Sequence, residues 1–412
     1  MAWVTVLNYI AWYIFVFFNV MWILILFQNR GNMYRRPPKL KTFPSVSIII
    51  PAFNEEKTIS KTIRSVLSLN YPKRLLQTIV VNDCSKDKTK EVVEGFGKDV
   101  TLLNNEKNMG KARSLNRAIK FAKGKLIACM DADSTVNPNA LKKMVHHFTD
   151  PHTGSVTPAL RVKRRKNTLE KVQHAEYLLN IFLRKILAFM DAIHVTPGAF
   201  SLYRKDVLLK VGGFDEHNLT EDMDIALKIH KAGFKIENEL SAITYTYCPN
   251  SIKSLFGQRL RWYRGAIQNF LKYKYMFFNK RYGNLGIFLL PFNIMAISAI
   301  IIIFFTLLWS YANTALEYAR KAQIIGWDIL PMINTMDFEL AMSNLLTTSL
   351  IFGAAGLIIG GYVLHTSFKV NRIRVSSSKA GYLLYLLVFP AAMTVFWVMA
   401  FLYELLRLER KW

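Results

Sequence analysis

Two aspartates two positions apart are the residues of this sequence best suited to hold a metal ion. Asp131 and Asp133 follow the apolar run at 125–130, so both carboxylates would leave the end of one strand together. Hard divalent cations bind carboxylate and phosphate oxygens, so the pair could share a cation with a diphosphate and neutralise its charge as it departs. The alternative is a polar turn in which Asp133 caps the helix expected from Pro138.

Asp83 and Lys111 are further candidates for contacts with a charged ligand. Asp83 follows the apolar run at 77–81 and could hydrogen-bond a base or a ribose. Alternatively, Asp83 forms an Asx turn or caps the helix expected near Asp87. Lys111 begins a helix after Gly110, where its charge is unfavourable with the helix dipole. A specific anionic partner is therefore predicted for Lys111, the alternative being a solvated surface lysine.

An acidic pair opens another helical stretch further along the chain. Glu221 and Asp222 follow Thr220 and precede the run MDIALKIHKAG. A carboxylate at this point could act as the general base that deprotonates an acceptor hydroxyl. The alternative is an ordinary helix start, with Thr220 as the N-cap and acidic residues in the first turn.

A basic amphipathic stretch at 252–270 contains the motif Gln-Arg-Leu-Arg-Trp. Arg259, Arg261 and Arg264 could meet phosphates. Trp262 could stack on a sugar, and the apolar residues of the stretch could face a membrane. The alternative is a plain interfacial helix whose arginines extend towards the headgroups.

The elements that would position these residues alternate between strand and helix. Strands are predicted at 46–51, 77–81, 100–103 and 125–130, and helices at 55–69, from 87, at 112–122 and from 138. Short β-branched runs indicate buried strands, and apolar residues three and four apart indicate helices. The alternation predicts an α/β fold with a doubly wound, mostly parallel sheet and helices on both faces.

Ligands of such sheets bind beyond the carboxyl ends of the strands. In this sequence the segments that follow the predicted strands are 53–55, 82–83, 104–105 and 131–133. All four are polar or acidic, so these segments are expected to carry the function.

Several classes of protein are disfavoured by what the sequence lacks. No GxGxxG follows the first strand and no GxxxxGK[ST] is present, which argues against a dinucleotide-dependent redox enzyme and a P-loop ATPase. The three cysteines lie far apart and form neither a zinc pattern nor a disulfide framework. The net charge of +26 could suit nucleic acid, but the basic residues cluster at 30–41 and 272–281, beside apolar segments. That placement is typical of cytosolic flanks of membrane spans, so no nucleic-acid partner is expected.

Four apolar segments could cross a bilayer, which requires about 20 apolar residues each. They are residues 3–28, 285–311, 341–367 and 380–403. Pro291 and Pro390 could kink two of them, and residues 323–333 are a further interfacial candidate. The first segment lacks a basic leader and a cleavage site, so it is expected to remain as an anchor.

The basic flanks also predict an orientation. The middle of the chain and the loop at 368–379 lie in the cytosol, with the N-terminus outside. Four spans would return the C-terminus to the outside, which places Arg407, Arg410 and Lys411 on the side that basic residues avoid. An interfacial or re-entrant segment in place of one span would remove this conflict.

The order and spacing of these motifs resemble the family-2 inverting glycosyltransferases. Within that family they resemble the membrane polysaccharide synthases of the cellulose, chitin, hyaluronan and poly-N-acetylglucosamine type. The resemblance is carried by the runs PAFNE at 51–55, VND at 81–83, NMGKA at 108–112, DAD at 131–133, TED at 220–222 and QRLRW at 258–262. It spans residues 44–270 and extends to the flanking spans in architecture only.

The resemblance implies a GT-A-like, nucleotide-sugar-binding sheet and a role for each motif. Binding of the donor falls to Asp83, Glu55, Lys111 and Asp131. Binding of the metal, Mg²⁺ or Mn²⁺, falls to Asp133 with Asp131. The catalytic base would be Asp222. Binding of the diphosphate and the acceptor end falls to Gln258, Arg259, Arg261 and Trp262.

The activity implied is a metal-dependent, inverting hexosyl transfer from a nucleotide-diphosphate donor, most simply UDP, by a processive polysaccharide synthase. The base activates the acceptor hydroxyl, which attacks the sugar from the face opposite the diphosphate. The partners implied are the donor, a polysaccharide or lipid acceptor and membrane lipids, with room for an accessory subunit. One alternative is a single-transfer enzyme that acts on a glycolipid or polyprenyl-phosphate acceptor, because the Gln-x-x-Arg-Trp motif also occurs in ceramide-glucosylating relatives. Another is an inactive membrane scaffold.

The predicted organisation has four parts. They are an N-terminal transmembrane helix at 1–28, a cytosolic glycosyltransferase domain at 29–250, amphipathic interface helices at 251–283 and a C-terminal transmembrane region at 284–412. The predicted location is the cell membrane, with several passes and the catalytic domain in the cytosol.

Overall fold

The computed structural model describes residues 2–324 and 348–408 of the 412-residue chain. The strands are β1 (Val46–Ala52), β2 (Leu76–Asn82), β3 (Thr101–Asn104), β4 (Leu126–Cys129), β5 (Thr135–Val136), β6 (Thr153–Val162), β7 (Ser201–Arg204) and β8 (Lys235–Thr246). The helices up to the first apolar pair are α1 (Ala2–Asn29), α2 (Ile59–Leu67), α3 (Thr89–Glu94), α4 (Lys111–Phe121), α5 (Ala140–Met144), α6 (Thr168–Phe189), α7 (Lys205–Lys210), α8 (Glu221–Lys231), α9 (Ile252–Lys272) and α10 (Leu290–Ile324). The last three are α11 (Thr348–Val370), α12 (Lys379–Leu387) and α13 (Phe389–Leu405).

One sheet of eight strands organises residues 46–246, in the order β3-β2-β1-β4-β7-β6-β8-β5. The first four strands pair in parallel, and Val46 of β1 lies opposite both Leu76 of β2 and Leu126 of β4. β7 is antiparallel to both of its neighbours, and β8 is parallel to β6. The predicted α/β fold is confirmed, and the second half of the sheet makes it a mixed one.

The sheet is covered on both faces, and its central strands carry apolar runs that are buried on both sides. Ile48 and Ile50 of β1 pack against α2, α3 and α5, whereas Ile49 packs on the other face against α4, α7 and α8. Successive side chains of a strand point to opposite faces, so an unbroken apolar run is what a strand covered on both sides requires. The four predicted strands are present as β1 to β4.

The apolar helices form a separate layer. Among the described residues, two helical stretches are long and apolar enough to cross a membrane, Tyr9–Asn32 and Leu285–Ile324. A third would be α12 with α13, which meet at a bend of 50° next to Pro390, where a kink was predicted. The predicted span at 341–367 is described only from Thr348, as α11, and the interfacial candidate at 323–333 lies outside the described residues from position 325 on.

The amphipathic helix predicted at 252–270 is α9, which packs lengthwise on α13. Phe256 lies 5.8 Å from Phe396 between ring centroids. Tyr263 stacks on Trp397 at 4.2 Å, with an interplanar angle of 5°. Two aromatic pairs therefore join the layer of apolar helices to the helix that carries the Gln-Arg-Leu-Arg-Trp motif.

Candidate active site

The turns after β1 and β2 bend sharply at the carboxyl edge of the sheet. Asn54 has φ of +56° and Cys84 has φ of +60°, a conformation that non-glycine residues adopt mainly where the fold demands it. The two turns hold each other, because the Asn54 amide donates to Ser85 Oγ at 3.0 Å and the Lys86 amide donates to Asn54 Oδ1 at 2.8 Å. These two hydrogen bonds fix the edge of the sheet on which the site is built.

Asp83 is buried at this edge and its carboxylate accepts three hydrogen bonds. Oδ1 accepts from the Met109 amide at 2.9 Å and from Asn105 Nδ2 at 2.6 Å, and Oδ2 accepts from the Gly110 amide at 2.8 Å. The turn and cap alternatives are not seen, because it is Asn82 Oδ1 that accepts from the Ser85 amide. Asp83 thus fixes the loop that leads into α4 and leaves Lys111 at the start of that helix.

Lys111 lies between two carboxylates from distant parts of the chain. Its Nζ is 2.7 Å from Asp131 Oδ1 and 2.9 Å from Glu221 Oε1. Desolvation opposes the charged form, but the two carboxylates hold the pKa of Lys111 well above its usual value. Lys111 is therefore no solvated surface lysine, since it has two anionic partners within the chain, and its contact with a charged ligand stays a prediction.

Gly198 closes over this ion pair, in the loop that precedes β7. A Cβ at this position would lie 2.5 Å from Lys111 Nζ and 2.7 Å from Asp131 Oδ1. The absence of a side chain lets the loop backbone approach the charged groups directly. The sequence around Gly198 carries no signal of this role, because the role depends on two residues more than sixty positions upstream.

Glu55, Asp131 and Asp133 form the acidic side of the site. Burial first, and then Asp131 and Glu55, raise the pKa of Asp133 to about 6. Burial and the charge of Asp131 likewise raise the pKa of Glu55. Asp133 is no helix cap, because α5 begins after Asn139, and Asp133 Oδ1 instead accepts from the Ser134 hydroxyl at 3.2 Å.

This acidic side fits a hard divalent cation that is bound jointly with a substrate. Ionised carboxylates that raise one another's pKa are stabilised by a cation placed between them. Within residues 2–324 and 348–408, no group of three or more ligating side chains is arranged to hold an ion by itself. Asp131 and Asp133 could therefore supply only part of a coordination shell, and phosphate oxygens commonly complete Mg²⁺ sites of this kind.

Asp222 lies in the first turn of α8, next to the pair formed by Lys111 and Glu221. Burial, and then Glu221, raise the pKa of Asp222 to about 6, while Lys111 and Arg261 act in the opposite direction. Arg184 of α6 is a further cation close to Asp222. Burial lowers the pKa of Arg184, and the charge of Asp222 partly offsets that fall. Asp222 thus combines the burial and the raised pKa that suit a general base near neutral pH.

The start of α8 is held from two sides. Thr196 donates its amide, at 3.1 Å, and its hydroxyl, at 2.9 Å, to the backbone carbonyl of Asp222. On the other side Asn269 of α9 donates to Thr220 Oγ1 at 3.0 Å, and Gly265 of α9 leaves the space that the Thr220 side chain fills. Thr220 is the N-cap residue by position, but its side chain makes no capping hydrogen bond, so it serves the contact with α9 instead.

The motif helix α9 presents its residues to different surroundings. Arg261 is exposed and close enough to Asp222 to affect its pKa. Trp262 is half-buried, and Arg259 is completely buried, with Nη2 2.6 Å from Glu176 Oε2 of α6. Gln258 Oε1 is buried without a hydrogen-bond partner among the described residues.

Arg264, considered above for phosphate binding, instead pairs with Glu404 of α13 at 2.5 Å.

Most of the residues proposed from the sequence therefore meet at one edge of the sheet. Lys111 pairs directly with Asp131, and Asp83 accepts from the amide of Gly110, the residue before Lys111. The other members, Glu55, Asp133, Asp222 and Arg261, are coupled to this cluster electrostatically. Sequence reasoning missed Glu221, Gly198, Arg184 and Glu176. Of these, only Glu221 carried a signal, since it stands beside Asp222 in the motif at 220–222.

Comparison with known proteins agrees with this geometry. Residues 47–212 match the family model described as Glycosyl transferase family 2. A poly-beta-1,6-N-acetyl-D-glucosamine synthase of Staphylococcus epidermidis is 31% identical over 278 residues, which are 65% of this chain and 67% of that protein. A second synthase of the same name and species is 28% identical over 355 residues, or 82% of this chain and 85% of its own.

A solved structure shares the fold over nearly the whole chain. It is a mannosyltransferase of Pyrobaculum calidifontis in complex with GDP-Man and Mn²⁺, which covers 98% of this chain and 100% of its own with a TM-score of 0.62 at 20% identity. The mixed sheet with helices on both faces is accordingly GT-A-like. Together with the matched family model and the synthases of Staphylococcus epidermidis, this shows that the chain belongs to glycosyltransferase family 2 and is related to its polysaccharide synthases.

Proposed function

We propose that this glycosyltransferase is a processive synthase that builds a polymer of N-acetylglucosamine from a UDP-linked donor, with inversion at each transfer. The choice of sugar follows the names of the Staphylococcus epidermidis relatives. The observation that carries the proposal is the position of Lys111, whose two ion pairs join the donor-side carboxylate Asp131 to the helix of the base Asp222. Donor and acceptor chemistry are thereby held within one cluster.

In this mechanism Asp222 removes the proton from the acceptor hydroxyl. The hydroxyl oxygen then attacks the anomeric carbon from the face opposite the diphosphate, and the bond to the diphosphate breaks. Arg261, which is exposed beside Asp222, is positioned to bind the departing phosphates. No covalent enzyme intermediate is needed, because a single displacement inverts the configuration.

A divalent cation, Mg²⁺ or Mn²⁺, would be held by Asp133 and Asp131 and would supply neutralisation of the diphosphate charge. Asp83 would serve the donor from the loop edge, and Glu55 from the turn after β1. Gln258, Arg259 and Trp262 would bind the diphosphate and the acceptor end. The half-buried indole of Trp262 supports a stacking role, since sugar rings present apolar faces.

The proposed setting is the cell membrane, with several passes and the catalytic domain at 29–250 in the cytosol. The two apolar stretches Tyr9–Asn32 and Leu285–Ile324 support membrane insertion. The basic segments at 30–41 and 272–281 support the cytosolic side for the domain between them. Membrane lipids, and an accessory subunit where one exists, would complete the assembly.

The test is a donor screen with detergent-solubilised protein, in which nucleotide release and product length are read together. With Mg²⁺ or Mn²⁺ present, UDP-N-acetylglucosamine is expected to give both UDP release and products of many sugars. Chelation of the metal with EDTA is expected to stop both, and restored metal to recover them. Radiolabelled donor that yields only one-sugar lipid products would refute the polymer synthase and favour single transfer to a lipid acceptor.

A further inference from the structure

A buried ion pair lies directly beneath the Gln-Arg-Leu-Arg-Trp motif. The Arg259 side chain has no exposed surface, and its Nη2 donates to Glu176 Oε2 at 2.6 Å. Glu176 is itself 4% exposed, at the middle of α6. Charges taken out of water cost stability unless other interactions compensate them, so a pair at this depth calls for a functional explanation.

The guanidinium of this pair also covers one face of an aromatic ring. Arg259 Cζ lies 4.1 Å from the centroid of the Trp262 ring, the distance of a close cation–π contact. A planar guanidinium that is held by a carboxylate can fix the ring against which it lies. Glu176 of α6 thus determines, through Arg259, how the Trp262 indole is oriented.

Hydrogen-bonding capacity remains unused on Arg259 and on the residue before it. Arg259 Nε and Nη1, and the neighbouring Gln258 Oε1, are buried without a partner among the described residues. Buried polar atoms in folded proteins are nearly always hydrogen-bonded, so these three atoms point to a missing ligand. A sugar unit offers oxygen acceptors for two N–H donors, a hydroxyl donor for the amide oxygen and an apolar face for the indole.

We propose that Glu176 and Arg259 form a positioning pair that fixes Trp262 as the platform for the acceptor end of the glycan. The free N–H groups of Arg259 then donate to oxygens of the sugar unit that binds at Trp262, and the amide oxygen of Gln258 accepts a hydrogen bond from one of its hydroxyls. This inference rests on the proposed synthase function and adds Glu176 to its acceptor site.

The experiment compares E176Q with wild type in the detergent-solubilised protein. Four quantities are measured: the KM for a short oligosaccharide of the polymerised sugar, the KM for the donor, the product length and the affinity for UDP. E176Q is expected to raise the oligosaccharide KM on the order of tenfold, as loss of a charged hydrogen bond does, and to shorten the products. The donor KM and the UDP affinity should stay at their wild-type values.

The matched control is E404Q, which breaks the other arginine–carboxylate pair of α9, between Arg264 and Glu404. That pair does not involve Trp262, so E404Q should leave the oligosaccharide KM and the product length unchanged. An effect of E404Q equal to that of E176Q would show that α9 is merely loosened and would overturn the proposal. So would an E176Q protein whose oligosaccharide KM and products match the wild type.

If E176Q does not fold, R259K provides the decisive variant. Lysine keeps the charge opposite Glu176 but cannot lie flat on the indole, so a rise in the oligosaccharide KM and shorter products are again expected. A folded R259K protein with wild-type oligosaccharide KM and product length would refute the positioning role. Failure of the proposed synthase function looks different, since the wild type itself would then make no polymer.

Discussion

The surroundings of Asp222 act on its pKa in opposite directions. Burial and Glu221 raise its pKa to about 6, while Lys111 and Arg261 favour its ionised form. A carboxylate in this environment is a stronger base than an exposed one and still remains ionised at neutral pH. The same balance means that the folded protein loses stability when Asp222 ionises.

Replacement of Asp222 by asparagine tests both consequences. Loss of the base is expected to reduce kcat by about 10²- to 10⁴-fold, while the affinity for UDP is retained. The melting temperature at neutral pH should rise or stay constant, because the variant no longer buries a charge. The exposed Asp99 offers a control, as D99N should change neither quantity. Unchanged turnover of D222N would rule out Asp222 as the base.

The pH dependence of turnover follows from the same carboxyl group. Asp222 must be ionised to accept a proton, so kcat is expected to fall by about tenfold per pH unit below about 6. The free energy of unfolding should change in the opposite sense: the folded state binds this proton more tightly than the unfolded state, so the Asp222 contribution is lost as pH rises from 3.8 through about 6. A kcat profile that is flat between pH 5 and 7 would contradict the assignment.

At the residue scale, sequence reasoning could find the groups that chemistry requires but not the groups that support them. Asp131, Asp133 and Asp222 stand in short motifs whose residue types already suggest their chemistry. Gly198 and Glu176 stand in no such motif, and their contacts with Lys111 and Arg259 arise only when distant segments pack. Asp83 is intermediate, since its position was predicted but its three hydrogen bonds to the loop at 105–110 were not.

At the level of elements, α9 is packed between the start of α8 and the apolar helix α13. Gly265 and Asn269 face Thr220, while Arg264 and Gln268 face Glu404, with Gln268 Nε2 3.0 Å from Glu404 Oε1. Residues four apart lie on the same side of a helix, so the two pairs form two adjacent stripes. The position of α8, the helix that carries Asp222, therefore depends on a close fit to α9.

The fit can be tested with two alanine substitutions on the same helix. A Cβ at Gly265 would collide with the Thr220 side chain, including Cγ2 at 2.5 Å, whereas a Cβ at Gly257 would meet nothing within 4 Å. G265A is expected to displace Asp222 and lower kcat by about tenfold or more. G257A should leave kcat unchanged and stabilise the helix by up to about 1 kcal/mol. Equal kcat values for the two variants would argue against the contact.

Local sequence specifies the first four strands of the sheet but not the later ones. β1 to β4 are short apolar runs, and each was predicted within about two residues. β6 to β8 were not predicted, because polar residues interrupt their apolar runs: β7 is Ser-Leu-Tyr-Arg, and β8 alternates charged and apolar positions over its first residues. Their pairing depends on the 22-residue helix α6, which returns the chain to the sheet antiparallel to β4.

In the whole molecule, the last apolar pair, α12 and α13, contacts α6 at one end and α9 at the other. Near the start of α12, Gly381 lies against the backbone carbonyl of Lys171 in α6, so closely that no Cβ would fit. At the end of α13, Glu404 pairs with Arg264, which also donates to the Leu408 carbonyl at 3.0 Å. Because the pair is bent by 50° and held at both ends by α6 and α9, we expect it to lie along the membrane surface rather than to cross it.

This arrangement predicts that the C-terminus lies on the same side as the catalytic domain. The crossings would then be α1, α10 and α11, and the basic residues Arg407, Arg410 and Lys411 would obey the positive-inside rule. Fusions of alkaline phosphatase and of green fluorescent protein at residue 408 report the side. We expect fluorescence and no phosphatase activity there, and the reverse for fusions at Ile324. An active phosphatase at residue 408 would restore the fourth crossing.

Lys111 has a consequence for how this protein can change over evolutionary time. The ammonium group of Lys111 neutralises two carboxylates from distant parts of the chain. Asp131 lies twenty positions downstream of it, and Glu221 more than a hundred. Loss of the lysine would leave two unbalanced carboxylates beside Asp222, and loss of either acid would release the lysine from its place. The three positions are therefore constrained as a unit, and relatives should keep all of them or replace them together.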